Sequence, residues 1–432
     1  MQRLCIAVVG LALLCFVDAA GLRGENWPGW RGPRGDGTSL EQGLPIHWSG
    51  TENVAWKVAV PHSGHASPIV WGDRIFLVGT DLEKQERILT ALDRNDGAIA
   101  WQRSVVQAPL EPKHRLNSYS SSTPVTDGEL VYVSFLDEGQ MFAAAYDFDG
   151  AERWKVRPGA FSSVHGYCSS PVLFEDKLII NGDHDGDAYL VALDKTSGDT
   201  VWKTERENRT RSYCTPIIRD IDGRTQMILS GSKCVASYDP HDGTRHWIID
   251  GPTEQFVASL VDSHDLLFVT GGFPEHHVLA IKPTGNGNVT NSHVAWHHTG
   301  KLASYVPSPI AVGDYFLVAS DEGQATCLDV RTGEVQWSNH LSRHFSASLV
   351  TAGGLVYFLD DFGVTQVVKP GRNFEAVAVN KLFESGVFKS TGDDEDKDAC
   401  SASPAISQGQ IFIRTDQALY CIGKPQGAVG KK

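Results

Sequence analysis

The side chains best suited to chemistry fall into two groups. His65, Tyr119, His165, Tyr167, Arg211, Tyr213, Tyr305, His344 and Phe345 each stand two to five residues ahead of a Ser/Thr-Pro or Ser-Leu pair. Rings and a guanidinium at equivalent points of a repeat can stack on a planar ligand or grip a peptide. The alternative is that they pack against neighbouring repeats. The second group is Asp183-His184-Asp185-Gly186-Asp187. Asp183, Asp185 and Asp187 alternate around a glycine, as oxygen ligands do in a calcium loop. The distant glutamate of a full calcium motif is absent, so a solvated hairpin loop is the competing reading. His276-His277 and His297-His298 would point to opposite faces of a strand, so neither pair chelates a metal alone. No nucleophile, base and orienting acid stand in a triad-like arrangement.

These residues belong to a repeat. The opening pair recurs at Ser67-Pro68, Thr123-Pro124, Ser170-Pro171, Thr215-Pro216, Ser259-Leu260, Ser308-Pro309, Ser348-Leu349 and Ser403-Pro404, spaced 40 to 56 residues apart. Between Ser170 and Trp202, four short apolar or β-branched runs alternate with Gly, Asp and Ser turn signals, which reads as four antiparallel strands. One such sheet cannot bury its faces alone, so copies must stack. Glycine sits four residues before tryptophan in five repeats: Gly97 and Trp101, Gly150 and Trp154, Gly198 and Trp202, Gly243 and Trp247, Gly333 and Trp337. Trp296 closes the fifth repeat after a longer turn, and the seventh lacks its tryptophan, with Val379 to Leu382 in that place. Asp93, Asp194, Asp239 and Asp329 end third strands, where a carboxylate caps turn amides.

The two ends are incomplete and complementary. Asn53 to Lys57, with Trp56, matches a fourth strand that no first three precede; Ser403 to Ile422 supplies three strands that no fourth follows. Joining them closes a ring and removes its sheet edges. The expected fold is all-β: an eight-bladed β-propeller of four-stranded antiparallel blades, closed by an N-terminal strand that completes the last blade. In a four-stranded blade, the loop before strand one and the loop between strands two and three share a face. Both groups of candidate residues therefore belong to one rim of the ring.

Residues 1–20 read as a secretory signal: Arg3, an apolar core from Leu4 to Val17, and small residues at Ala19-Ala20. That core is too short to span a membrane. Cys15 resembles a lipoprotein box, but Leu14 is too large for the preceding position, so export without a lipid anchor is expected. Residues 21–50, with Trp27-Pro28-Gly29-Trp30-Arg31-Gly32-Pro33, read as an ordered strap; 51–423 is the propeller and 424–432 a tail. Six cysteines remain after the signal, and Cys327 and Cys421 stand where other repeats have alanine, as small core residues. No C-x-x-C occurs, which excludes a zinc knuckle and covalent haem. The run Asp393 to Asp398 reads as a mobile exposed loop. A net charge of −14 argues against a nucleic-acid phosphate surface as a partner.

The Ala-x-Asp, glycine turn, tryptophan pattern resembles PQQ-type repeats, and the chain is similar to the PQQ-like propeller superfamily over residues 51–423. Two branches matter. One is the quinoprotein dehydrogenases, which hold pyrroloquinoline quinone and calcium; the other is the barrel-assembly lipoprotein B of Gram-negative outer membranes, a scaffold without cofactor. The resemblance to dehydrogenases implies a vicinal Cys-Cys and a calcium set of Glu, Asn and Asp; this chain has no adjacent cysteines, and that set cannot be placed. The expected function is therefore an exported, monomeric scaffold. It would bind a protein or peptide of the cell envelope through the rim, with no tightly bound cofactor, no nucleic acid and no transmembrane segment. A PQQ- and calcium-dependent oxidoreductase is the alternative.

Overall fold

The computed structural model describes residues 24–383 and 398–425. Residues 1–20, expected to be a signal, with Cys15, acidic residues 393–397 and the end of the tail, lie outside the described residues. Eight sheets form an eight-bladed β-propeller, each blade having four antiparallel strands. Blade four adds a short parallel strand, Gly287–Asn288, beside its outer strand.

Blade three shows why the sequence makes this shape. Its strands are Val172–Phe174, Lys177–Gly182, Tyr189–Asp194 and Thr200–Glu205. The second strand is buried along its whole length, and so are all but the last residue of the third. Both faces lie against neighbouring blades, so these runs are continuously apolar rather than alternating. The outer strand buries only Trp202 fully.

The tryptophans join one blade to the next. Trp56, Trp101, Trp154, Trp202, Trp296 and Trp337 each donate the indole N–H to a turn carbonyl of the following blade: Arg94, Phe148, Lys195, Pro240, Val330 and Gly371. Trp247 differs, donating to Gln226 Oε1 within its own blade at 2.7 Å. Each repeat glycine packs on the preceding blade's tryptophan. A Cβ on Gly243, at φ 76°, would stand 2.7 Å from the Trp202 ring, and Gly198 meets Trp154 in the same way. Left-handed backbone and a flat indole neighbour together require glycine there. Turn aspartates cap as expected: Asp194 Oδ1 accepts from the Thr196 and Ser197 amides at 2.8 Å each.

Across the ladder, tryptophan faces Ala91, Ala145, Ala192, Ser237, Ala280, Cys327 and Cys421. Cys327 and Cys421 are thus buried stand-ins for alanine. In blade seven the residue at this register position is Ala378, opposite Val367, and not the segment from Val379 to Leu382. Trp48 from the N-terminal segment stacks on Tyr357 of the same blade, with centroids 6.3 Å apart.

Ring closure pairs Val54–Ala59 with Ala418–Ile422, so the last blade takes its outer strand from the start of the chain. The residues before it cross one end of the ring. Trp27 bridges Val70 in blade one, the Thr126 amide of blade two donates to the Pro28 carbonyl, and Thr38 bridges Thr351 in blade seven. Between these points Arg31 is buried at the axis and donates to the carbonyls of Ser308, Leu349, Pro309 and Asp36. Burial pushes its pKa down to about 10. The segment touches Gly72 and Gly353, in loops between strands one and two. It therefore covers the end opposite the rim that carries the candidate residues.

Candidate functional site

The inner strands converge on a channel, and the opening pairs encircle it. Ser67 N–H donates to Thr123 Oγ1, Thr123 to Ser170 Oγ and Ser170 to Thr215 Oγ1, each at 3.0 Å. Ser259 donates to Ser308 Oγ, Ser308 to Ser348 Oγ and Ser348 to Ser403 Oγ, each at 2.9 Å. Six of the eight possible links are made. Ser259 Oγ receives instead the indole N–H of Trp30, at 3.0 Å. Trp30 thereby forms the floor of a cavity of about 410 Å³ that opens on the opposite rim.

Five of the nine residues expected at the mouth line this cavity: His65, His165, Arg211, Tyr213 and Tyr305. The other four stand elsewhere. Tyr119 lies outside the lining, under Lys113 and Arg87 at 5.1 and 5.7 Å from its ring. Tyr167 is buried, with its hydroxyl 3.1 Å from Ser134 Oγ and its ring against Phe161. His344 pairs with Asp361 at 2.7 Å, which holds its pKa above the ordinary value. Phe345 is core between blades six and seven.

One wall is a connected set. His165 lies edge-on to His114, centroids 5.4 Å apart, and 6.4 Å from the Tyr213 ring. Tyr213 hydroxyl meets Ser163 Oγ at 3.1 Å. Gln255 accepts from Arg211 Nη2 at 3.0 Å and donates to the Tyr305 hydroxyl at 2.8 Å. Burial pushes the Tyr305 phenol up to about 12, so it stays protonated. His165 is held below its ordinary pKa by burial, then by Arg211 and His114. His65 is pushed down to about 4, again by burial first and then Arg414 and Lys113. At neutral pH these two imidazoles are uncharged.

The three aspartates of the candidate metal loop do not converge. Asp183 is fully buried and makes a two-point pair with Arg206, at 2.8 and 3.1 Å. Asp185 takes Arg211 at 2.9 Å, and Asp187 takes Arg209 at 2.9 Å. Each carboxylate is matched to its own guanidinium, and no group of three His, Cys, Asp or Glu able to hold a metal occurs among the described residues. The loop still belongs to the mouth, because Asp185 orients Arg211 across two blades.

Sequence reasoning missed Trp30, His114, Gln255 and Phe273, all of which line the cavity. Trp30 gave a signal: an aromatic in a Gly/Pro segment that water would leave costly. Gln255 and His114 gave none, since neither sits at a repeated offset.

A model of the family described as outer membrane protein assembly factor BamB matches residues 43–137, 85–289 and 274–372. The chain belongs to that family. A BamB of Shewanella oneidensis is 23% identical over 286 residues, covering 60% of this chain and 68% of the relative. The crystal structure of BamB from Moraxella catarrhalis superposes with a TM-score of 0.59 at 15% identity, covering 87% of this chain and 98% of that one. A europium-containing methanol dehydrogenase superposes at 0.54 with 12% identity, over 90% and 89%. These structural likenesses show the fold that BamB and the dehydrogenase have in common. A quinone and metal pair does not fit the donor set of the described residues: none of their carboxylates lines the cavity, and the arginines claim the aspartates beside it.

Proposed function

We propose that the chain is an exported scaffold of the cell envelope that binds a protein partner through the rim around the cavity mouth. One observation carries this reading. Leu116, Val164 and Phe273, on loops of blades two, three and five, are 45%, 60% and 50% exposed on that rim. Large apolar side chains left wet on separate rigid blades mark a contact surface rather than a packing error. The cavity behind them gives an anchoring side chain somewhere to go. Membership of the BamB family supports a protein partner in the envelope. His65, His165, Arg211, Tyr213 and Tyr305 would contact that partner, with Tyr119, Tyr167 and His344 holding the loops that carry them.

Site-specific photo-crosslinking in the native envelope tests the reading. Probes replacing Leu116, Val164 and Phe273 are compared with probes at Val201 and Val335, which are also exposed but lie on outer strands. One adduct confined to the rim positions is the expected result. Adducts of equal yield at all five positions, or none at the rim, overturn it.

A further inference from the structure

We propose that the channel holds a carboxylate at the end of its ligand, beneath Arg211 and against the hydroxyls of Ser170, Thr215 and Ser259. The source of that carboxylate, a chain terminus of the partner or a small acid, rests on the protein-binding reading above; the recognition chemistry does not.

Hydrogen-bond accounting points to an acceptor. A serine or threonine hydroxyl has one proton to donate and two lone pairs. Ser170 Oγ accepts from the Thr123 amide, Thr215 Oγ1 from the Ser170 amide and Ser259 Oγ from Trp30. None of the three hydroxyls donates to a protein group among the described residues. All are at most 5% exposed, and all line the cavity. Buried donors need acceptors, and here the acceptor must come from inside the channel. Thr215 also makes no amide link to Ser259, whose Oγ accepts from Trp30 instead, so the ring is open at this point.

Charge points the same way. The chain has 52 acidic residues against 38 basic, yet among the described residues neither aspartate nor glutamate lines the cavity, whereas Arg211 does. The rim carboxylates nearest the mouth are engaged: Asp185 by Arg211, Asp361 by His344 and Ser346, and Asp321 by the Tyr305 and Val306 amides. Asp416 stands 3.9 Å from His65. It belongs to blade eight, across the ring from Arg211 in blade four. The pair with Asp185 leaves this wall without net charge, so it is the spare donors of Arg211 and of the hydroxyls that favour an acceptor on the wall of blades three to five. The aromatic rings of Tyr213, Tyr305 and Trp30 would take the apolar body behind a carboxylate, which accepts several donors at once.

The test is calorimetry of the mature protein with three probes: the tripeptide Ala-Ala-Phe as free acid, the same tripeptide as C-terminal amide, and N-acetylphenylalanine. Binding of the acid at least about tenfold tighter than the amide is expected, a gap of about 1.4 kcal/mol. Arg211→Gln and Thr215→Val should each remove most of that preference while an unchanged melting temperature shows an intact ring. If the tripeptide exceeds N-acetylphenylalanine, the source is a chain terminus; if they match, it is a small acid. Equal binding of acid and amide, or no heat from either acid, overturns the proposal on the wild-type protein alone. Rim crosslinking that persists in that case leaves the scaffold reading standing, because Leu116 and Phe273 do not depend on the hydroxyls.

Discussion

Trp30 donates its indole N–H to Ser259 Oγ at 3.0 Å, across 229 residues of sequence. Ser259 opens blade five, whereas Trp30 belongs to the segment that leads into the outer strand of blade eight. One hydrogen bond therefore ties the start of the chain to the far side of the ring and turns an open channel into a blind cavity. The rest of the segment is anchored by Arg31 on three carbonyls just ahead of the inner strands of blades six and seven.

Trp30→Ala should open the floor without unfolding the ring. A loss of about 2 kcal/mol is expected, below the 3–5 typical of a fully buried tryptophan because Trp30 is only half-buried. Chemical denaturation measures the loss, and access of a channel-sized dye from both ends reports the opening. An unaltered dye profile would mean that another residue seals the channel.

Trp202→Ala should cost about 3–5 kcal/mol, since its ring is buried between blades and its N–H holds the Pro240 carbonyl. Gly243→Ala should also destabilise, by about 1–3 kcal/mol, through positive φ and the 2.7 Å approach to the same ring. Because both changes strike one contact, the double variant should lose less than the two single losses added together. Strict additivity in urea unfolding would separate them.

The aspartate loop should divide by burial. Asp183→Asn leaves Arg206 buried and short of a charge, at a cost of about 3–5 kcal/mol. Asp185→Asn, at a half-exposed pair, should cost under about 1 kcal/mol. Millimolar calcium should shift the melting temperature of neither variant nor of the wild type. A calcium-dependent rise would restore the metal reading of Asp183, Asp185 and Asp187.

Asp416 gives the protein a pH signature. Burial, then repulsion from Asp398, pushes its pKa up to about 6, above the unfolded value of about 3.9. A raised folded pKa stabilises below the unfolded pKa, and that contribution is lost as pH rises through 6. Asp416→Asn should therefore stabilise the fold above about pH 6 by about 1 kcal/mol, after allowing for solvent screening, with no gain below about pH 4. Melting curves at pH 4 and pH 8 check this; equal shifts at both would exclude the titration.

Removal of residues 24–60 should abolish cooperative unfolding. It strips blade eight of its outer strand, leaves Phe412 and Cys421 without Trp56 and Tyr420 without Lys57, and opens the channel floor. A truncated protein that melts as sharply as the full chain would refute closure by Val54–Ala59.

The number of blades, their strand content and the split last blade could all be read from the order of residues. They depend on local patterns: turn residues, short apolar runs and a glycine–tryptophan spacing that recurs in five of the repeats. Face assignment was legible for the same reason, since loop order alone puts Asp185 and Arg211 on one rim. Which rim residues meet was not. Tyr119 and His165 occupy similar places in their loops, yet one lies under Lys113 and the other faces the channel, because loop conformation depends on contacts made by neighbouring blades. The three aspartates looked like one site and became three ion pairs once Arg206, Arg209 and Arg211 folded over them. The floor was the least visible of all: Trp30 has no periodic neighbours, and its partner Ser259 is chosen only when the ring closes and brings blade five beneath the crossing chain.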